Sequence, residues 1–182
     1  LARDGAINSV TGRAARTEIT RTDLPLDRLA AICGPAQVLT GADAAPYGQS
    51  WVKSYSAQPG AVVRPGSTQE VAAIMRLAQE TRTPIVPMGG NTGVTGATQA
   101  RDAVILSTER LDRIREIRTQ ARVAVAEAGV VVATLQEAVA AQGLTFPLMF
   151  GARGSARIGG VQIGDQTVFG VIGAGDDLLL GI

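Results

Sequence analysis

T-P-I-V-P-M-G-G-N-T-G-V-T-G-A, residues Thr83–Ala97, is the stretch around which the rest of the sequence arranges itself. A short apolar run, Pro84–Val86, ends at Pro87 and Met88. Gly89, Gly90, Gly93 and Gly96 follow, with Asn91, Thr92 and Thr95 between them. Glycine reaches positive φ freely and has no Cβ to hold a ligand away. Several in a row let successive backbone N–H groups converge on one anion, such as a phosphate. The hydroxyls of Thr92 and Thr95 and the amide of Asn91 add donors without adding charge. The stretch reads as a phosphate cradle or as an ordinary glycine turn, and its spelling alone leaves both open.

Two familiar phosphate loops are excluded. A P-loop needs Lys and then Ser or Thr after its last glycine, but Ala97 and Thr98 follow Gly96. The dinucleotide fingerprint G-x-G-x-x-G opens a helix. Here the spacing is Gly90-x-x-Gly93-x-x-Gly96, and Ala103–Ser107 downstream reads as a strand. A strand–loop–strand cradle is the reading that remains.

Upstream, Ala61–Arg64 is a short strand ended by Pro65. Ser67-Thr-Gln-Glu70 spells a capping box, and Val71, Ile74, Met75, Leu77 and Ala78 then share one helical face. Pro84 should end that helix near Thr81–Thr83. The result is a βαβ unit with a right-handed crossover whose second strand carries the glycine loop at its C-terminal end. Asp23–Ile32 reads as a short helix with Thr22 or Asp23 as N-cap and Gly34 as terminator. Tyr47, Trp51 and Tyr55, four residues apart, are expected to anchor Gly41–Gln58 on the domain surface rather than to stack on a ligand.

Downstream, Ile114–Ile117 and Val123–Ala126 read as strands. The charges from Arg110 to Arg122 are taken as their solvated faces. Gly129 opens a helix over Val130–Gln142 that Gly143 stops, and it should set a further backbone N–H near the cradle. Leu144–Pro147 is extended. A second small-residue run follows, with Gly151, Gly154, Ser155, Ile158, Gly159 and Gly160. Two such loops suit a long ligand with separate polar parts. Arg153 and Arg157 are expected in solvent, with neutralisation of a phosphate as the alternative.

Composition narrows the function. The 182 residues are 46% hydrophobic and 18% charged, as in one globular domain or part of one. A net charge of +1 and only 3% aromatic residues argue against a nucleic-acid partner. No stretch has the apolar length of a membrane span. Leu1–Thr20 lacks the apolar segment of a signal peptide. The single cysteine, Cys33, excludes an internal disulfide and fits a cytoplasmic location. The absence of histidine removes histidine acid–base chemistry, the Ser-His-Asp triad and a histidine-ligated metal. We expect an N-terminal arm over 1–22, a helical lead-in over 23–58 and a ligand-binding domain over 59–182.

V-V-R-P at 62–65, P-M-G-G-N-T-G-V-T-G at 87–96, A-G-V at 128–130 and F-P-L-M-F-G-A-R-G-S-A-R-I-G-G at 146–160 occur in this order. In this combination the chain, from about Leu29 to Gly160, resembles the FAD-linked oxidases of the vanillyl-alcohol oxidase type. The wording is most similar to their D-2-hydroxy-acid dehydrogenase branch. The resemblance implies an α+β fold: a vanillyl-alcohol oxidase type FAD-binding domain with a complete first βαβ subdomain and a partial second one. It implies non-covalent FAD, with its pyrophosphate on Pro87–Gly93, Thr95 and Gly96. Gly129, Pro147 and Gly151–Gly160 would line the remainder. A D-2-hydroxy acid is the implied substrate, and a homodimer or an electron-acceptor protein the implied partner. No catalytic acid, base or metal ligand is expected within these residues.

The sequence also departs from that family. The N-A-G-G motif that normally follows I-G-G is absent, and Val161–Gly175 is spelled differently. Asp177–Ile182 is similar to a later strand of the family, and Leu178–Ile182 is expected as an apolar edge seeking a partner strand. We therefore expect this chain alone to bind FAD weakly or not at all and to turn over no hydroxy acid. A same-fold flavin reductase, such as an enolpyruvyl-UDP-sugar reductase or a molybdenum-enzyme FAD subunit, and a non-catalytic domain that no longer binds flavin are the alternatives.

Overall fold

The computed structural model describes residues 24–160 and the backbone of 178–181. The expected N-terminal arm and the divergent Val161–Gly175 lie outside the described residues.

The first unit is a four-stranded sheet in the order β1-β2-β4-β3. Its strands are β1 (Val38–Leu39), β2 (Ala61–Val63), β3 (Ile85–Met88) and β4 (Val104–Ser107). β2, β4 and β3 run parallel, and β1 is antiparallel at the edge. β2 and β4 are buried on both faces and read as unbroken apolar runs, as central parallel strands do. Alternate residues serve opposite faces. Ala61, Val63, Val104 and Leu106 meet α1 (Leu26–Cys33) and α3 (Thr68–Thr81). Val62 and Ile105 meet Ala44 of the short α2 (Gly41–Ala44), together with Met88 and Ala100.

The βαβ expectation is borne out in its elements, with β4 inserted between β2 and β3. Helix α3 begins at its expected cap: the Ser67 hydroxyl accepts from the Glu70 N–H at 3.2 Å. The Glu70 carboxylate reaches back one residue further than the capping box predicts, to the N–H of Gly66 at 2.8 Å. Met75 is a correction. It is exposed while Val71, Ile74, Leu77 and Ala78 are buried, so the stripe facing the sheet is narrower than the sequence suggests. Helix α1 begins only at Leu26, with Pro25 as its N-cap, because proline fits the first turn but breaks the interior. Gly34 ends it at φ 88°.

The second unit is an antiparallel sheet in the order β5-β6-β7, made of β5 (Ile114–Arg118), β6 (Val123–Ala126) and β7 (Leu178–Gly181). Leu178–Gly181 therefore finds its partner inside the chain, on β6. Helix α4 (Val132–Ala140) buries Val132, Leu135 and Val139 with Ala124, Ala126, Phe146 and Ile158. It starts two residues later than the sequence suggests. The Val130 N–H is held by Glu127, the Val130 carbonyl accepts from Ile158, and Val131 pairs with Arg157.

Glu127 ties this unit together. Nearly all of its side chain is buried, and it accepts from the Arg113 backbone N–H and from the guanidinium groups of Arg113 and Arg115. An irregularity in the β5 register between Ile114 and Glu116 falls at Arg115. Burial pushes the Glu127 carboxyl up, but these bonds outweigh it and hold the group below the ordinary glutamate range. The charges at Arg113 and Arg115 are thus committed, not merely solvated.

Candidate functional site

In β3 and β4, Met88 lies beside Ser107, so both chains leave the sheet at one end. β2 is parallel to them and brings Arg64 to the same end. Ligands of open α/β sheets gather at the carboxyl ends of strands. A cleft of about 430 Å³ opens here. The first glycine loop lines it with Met88, Gly89, Gly90 and Asn91, and the second run lines it with Gly154, Ser155 and Arg157. Pro46, Tyr47, Ser107, Glu109 and Val131 complete it.

The first loop keeps its donors. Among the described residues, no backbone N–H from Gly89 to Ala97 donates to a backbone carbonyl. Its shape is set by Asn91, whose backbone is left-handed at φ 51°. The Asn91 amide donates to the Gln49 carbonyl at 2.6 Å and its side-chain oxygen accepts from the Thr98 hydroxyl at 2.8 Å. The Asn91 side chain thus holds the loop in place through its oxygen and one of its N–H groups. Tyr55 covers Gly96, which has φ 75°. Thr92 is half-buried, Gly93 and Thr95 are exposed, and a Cβ on Gly93 would meet open space.

Gly90 is different. The Ser155 carbonyl occupies the space that a Cβ on Gly90 would need. The second run is itself folded onto α4: its Ala156 and Arg153 carbonyls accept from Val132 and Ala133, the first N–H groups of that helix. The helix N-terminus is therefore satisfied by protein.

Several expected site residues have other employment. The Gly129 N–H donates to Leu111 at 2.7 Å, and the Thr108 carbonyl fills the space of its absent Cβ. That N–H is not offered to the cradle, and Gly129 serves the close approach of the two units instead. The Gly159 and Gly160 N–H groups donate to Ala128 and Arg157. Ile158 is buried in the second core. Pro87 is exposed on β3 and does not line the cleft, nor do the exposed Gly151 and Pro147. Gln136 grips the carbonyls on either side of Pro147 at 3.2 and 2.6 Å.

The charged lining was not legible in the sequence. The Tyr47 hydroxyl donates to Glu109 across 62 positions of chain, 2.9 Å from one carboxylate oxygen and 3.0 Å from the other. Arg64 adds an ion pair at 3.3 Å. Burial first, and then Glu109, push the Tyr47 phenol above its ordinary value. Arg157 lines the cleft half-buried and donates to the Gly129 carbonyl, whereas Arg153 is in solvent as expected. Of the three aromatic residues expected as anchors, Tyr47 is one, Tyr55 covers Gly96, and Trp51 is 74% exposed and anchors nothing.

Residues 59–176 match a protein family described as FAD binding domain. The chain belongs to this family. This FAD-binding domain is 38% identical over 137 residues to a D-2-hydroxyglutarate dehydrogenase of Stutzerimonas stutzeri, covering 74% of the chain and 30% of that protein. It is 36% identical over 128 residues to the mitochondrial D-2-hydroxyglutarate dehydrogenase of Bos taurus, covering 69% and 24%. It thus spans less than a third of the length of either relative. Among solved structures it is similar to alkyldihydroxyacetonephosphate synthase, with a TM-score of 0.66 at 21% identity over 74% of this chain and 27% of that one. It is also similar to 4-ethylphenol oxidase from Gulosibacter chungangensis, with a TM-score of 0.57 at 29% identity over 65% and 24%. The fold is the α+β vanillyl-alcohol oxidase type. Among the described residues, no helix of this FAD-binding domain is long and apolar enough to cross a membrane.

Proposed function

We propose that this domain is the FAD-binding portion of a flavin-dependent oxidoreductase that removes a hydride from a D-2-hydroxy acid. The observation that carries the reading is the cleft at the ends of β3 and β4, where the first loop keeps its N–H groups unspent and faces the second. The likeness to D-2-hydroxyglutarate dehydrogenases supports the substrate class.

The residues present fit the cofactor. Gly93 has open space beside its backbone donor, a Cβ on Gly89 would meet only Arg157 at ordinary contact distance, and Arg157 adds a cation at the rim of the cleft. The pyrophosphate would rest on Gly89–Gly96, with Gly154 and Ser155 opposite. Asn91 and Tyr55 fix the loop, so that its donors are ordered before the ligand arrives. FAD, when bound, supplies the hydride acceptor; the protein supplies placement and exclusion of water. We propose that attachment is non-covalent. The partners in this reading are a small hydroxy acid and a second copy of the protein or an electron-acceptor protein, in the cytoplasm.

The test is anaerobic mixing of the full-length protein, carrying its flavin, with D-2-hydroxyglutarate or D-lactate. Bleaching of the visible flavin band is expected. Bleaching by a nicotinamide nucleotide but by no D-2-hydroxy acid would replace this reading with that of a reductase.

A further inference from the structure

The glycine loop accounts for an anion in the cleft, but the cleft also holds an anion of its own. Glu109 follows β4 at the end where the first loop leaves β3, and it lines the same cavity as Gly89, Gly90 and Arg157. A carboxylate at this place repels phosphate. It therefore needs another reason to face a phosphate site.

A carboxylate can accept about four hydrogen bonds. The described donors to Glu109 are the Tyr47 hydroxyl, shared between its oxygens, and one nitrogen of Arg64 on Oε1. Acceptor capacity is left over, and the side chain is 27% exposed on the cleft wall. Tyr47 and Arg64 also fix the carboxylate before any ligand arrives, which is how a recognition group is preorganised. The chemistry that satisfies it is a neutral donor attached to a phosphate-bearing ligand.

We propose that Glu109 is a specificity-determining residue that accepts a hydrogen bond from a sugar or sugar-alcohol hydroxyl, while the first glycine loop and Arg157 take the phosphates. The inference rests on the FAD reading of the cleft. A ribose or a ribityl chain can supply the hydroxyl. Glu109 and Arg157 together then orient the ligand, because the phosphates avoid one wall and the hydroxyls seek it.

The experiment measures equilibrium binding of FAD and of inorganic pyrophosphate to the wild type and to Glu109→Ala. FAD should bind the variant about tenfold or more weakly, as for loss of a hydrogen bond to a charged partner. Pyrophosphate has no sugar or sugar-alcohol hydroxyl and should bind it as well or better. Equal weakening of both ligands would show a merely structural role and overturn the proposal, as would unchanged FAD binding. Failure of the full-length wild type to bind either ligand would sink the FAD reading itself, and this proposal with it. If Glu109→Ala does not fold, Glu109→Met decides by the same opposite signs, since it keeps much of the bulk but offers the hydroxyl no oxygen acceptor. ADP and FMN locate the hydroxyl: weaker ADP binding alone points to the ribose, and weaker FMN binding alone to the ribityl chain.

Discussion

The carbonyl oxygen of Ser155 fills the space that a Cβ on Gly90 would occupy. This single approach brings the two glycine runs together, although 65 positions of sequence separate them (155 − 90). The cleft exists because Gly90 has no side chain, whereas Gly93, three residues on, has open space around it. The two glycines therefore have different jobs, and substitution separates them.

Gly90→Ala should strain the contact and cost about 1–3 kcal/mol of folding stability, as overpacking does. Gly93→Val should leave the thermal midpoint near the wild type and reduce FAD retention. Thermal melts of both variants, followed by the flavin content of the purified full-length proteins, check the pair. A destabilised Gly93→Val beside an undisturbed Gly90→Ala would reverse the assignment.

Glu127 should make stability depend on acid. Its folded-state pKa is lowered, so the carboxylate stabilises the fold above its unfolded value and that contribution disappears as pH falls through the folded value. Glu127→Gln should be about 1–3 kcal/mol less stable at neutral pH. The difference should shrink below the ordinary glutamate value of 4.5. Urea unfolding at a series of pH values measures it, and a gap that widens in acid would contradict the assigned sign.

Ser67→Ala should cost about 0.5–2 kcal/mol by removing the N-cap of α3. Denaturant melts report the loss, and Ser67→Asp should recover most of it. An unchanged midpoint in the alanine variant would mean that the cap contributes nothing.

Flavin should come off with acid. The chain has no histidine, and its one thiol, Cys33, is buried against the Leu29 carbonyl at 3.2 Å, with burial raising its pKa. Precipitation of the full-length holoprotein should leave the yellow colour in the supernatant. Flavin retained on a peptide from these residues would refute non-covalent binding.

Local pattern was enough for much of this fold. β6 occupies Val123–Ala126 as its short apolar run suggests, and α3 starts at the Ser67 cap, because both depend on neighbours a few residues away. Met75 misled because helical periodicity gives the direction of a stripe but not its width. The site was half legible. Glycine spacing marked both loops, yet it could not say which glycines admit a ligand and which admit another stretch of backbone. Gly129 faces Thr108 and Gly90 faces Ser155, and neither neighbour is near in sequence. The Tyr47–Glu109 bond was invisible for the same reason.

Backbone amide shifts of the 182-residue chain, followed by two-dimensional NMR as FAD is added, test the central claim most directly. This measurement reads weak binding as well as tight binding. The account predicts that the largest changes fall on Gly89–Gly96, with Gly154 and Ser155 moving beside them. Changes confined to other residues would contradict it.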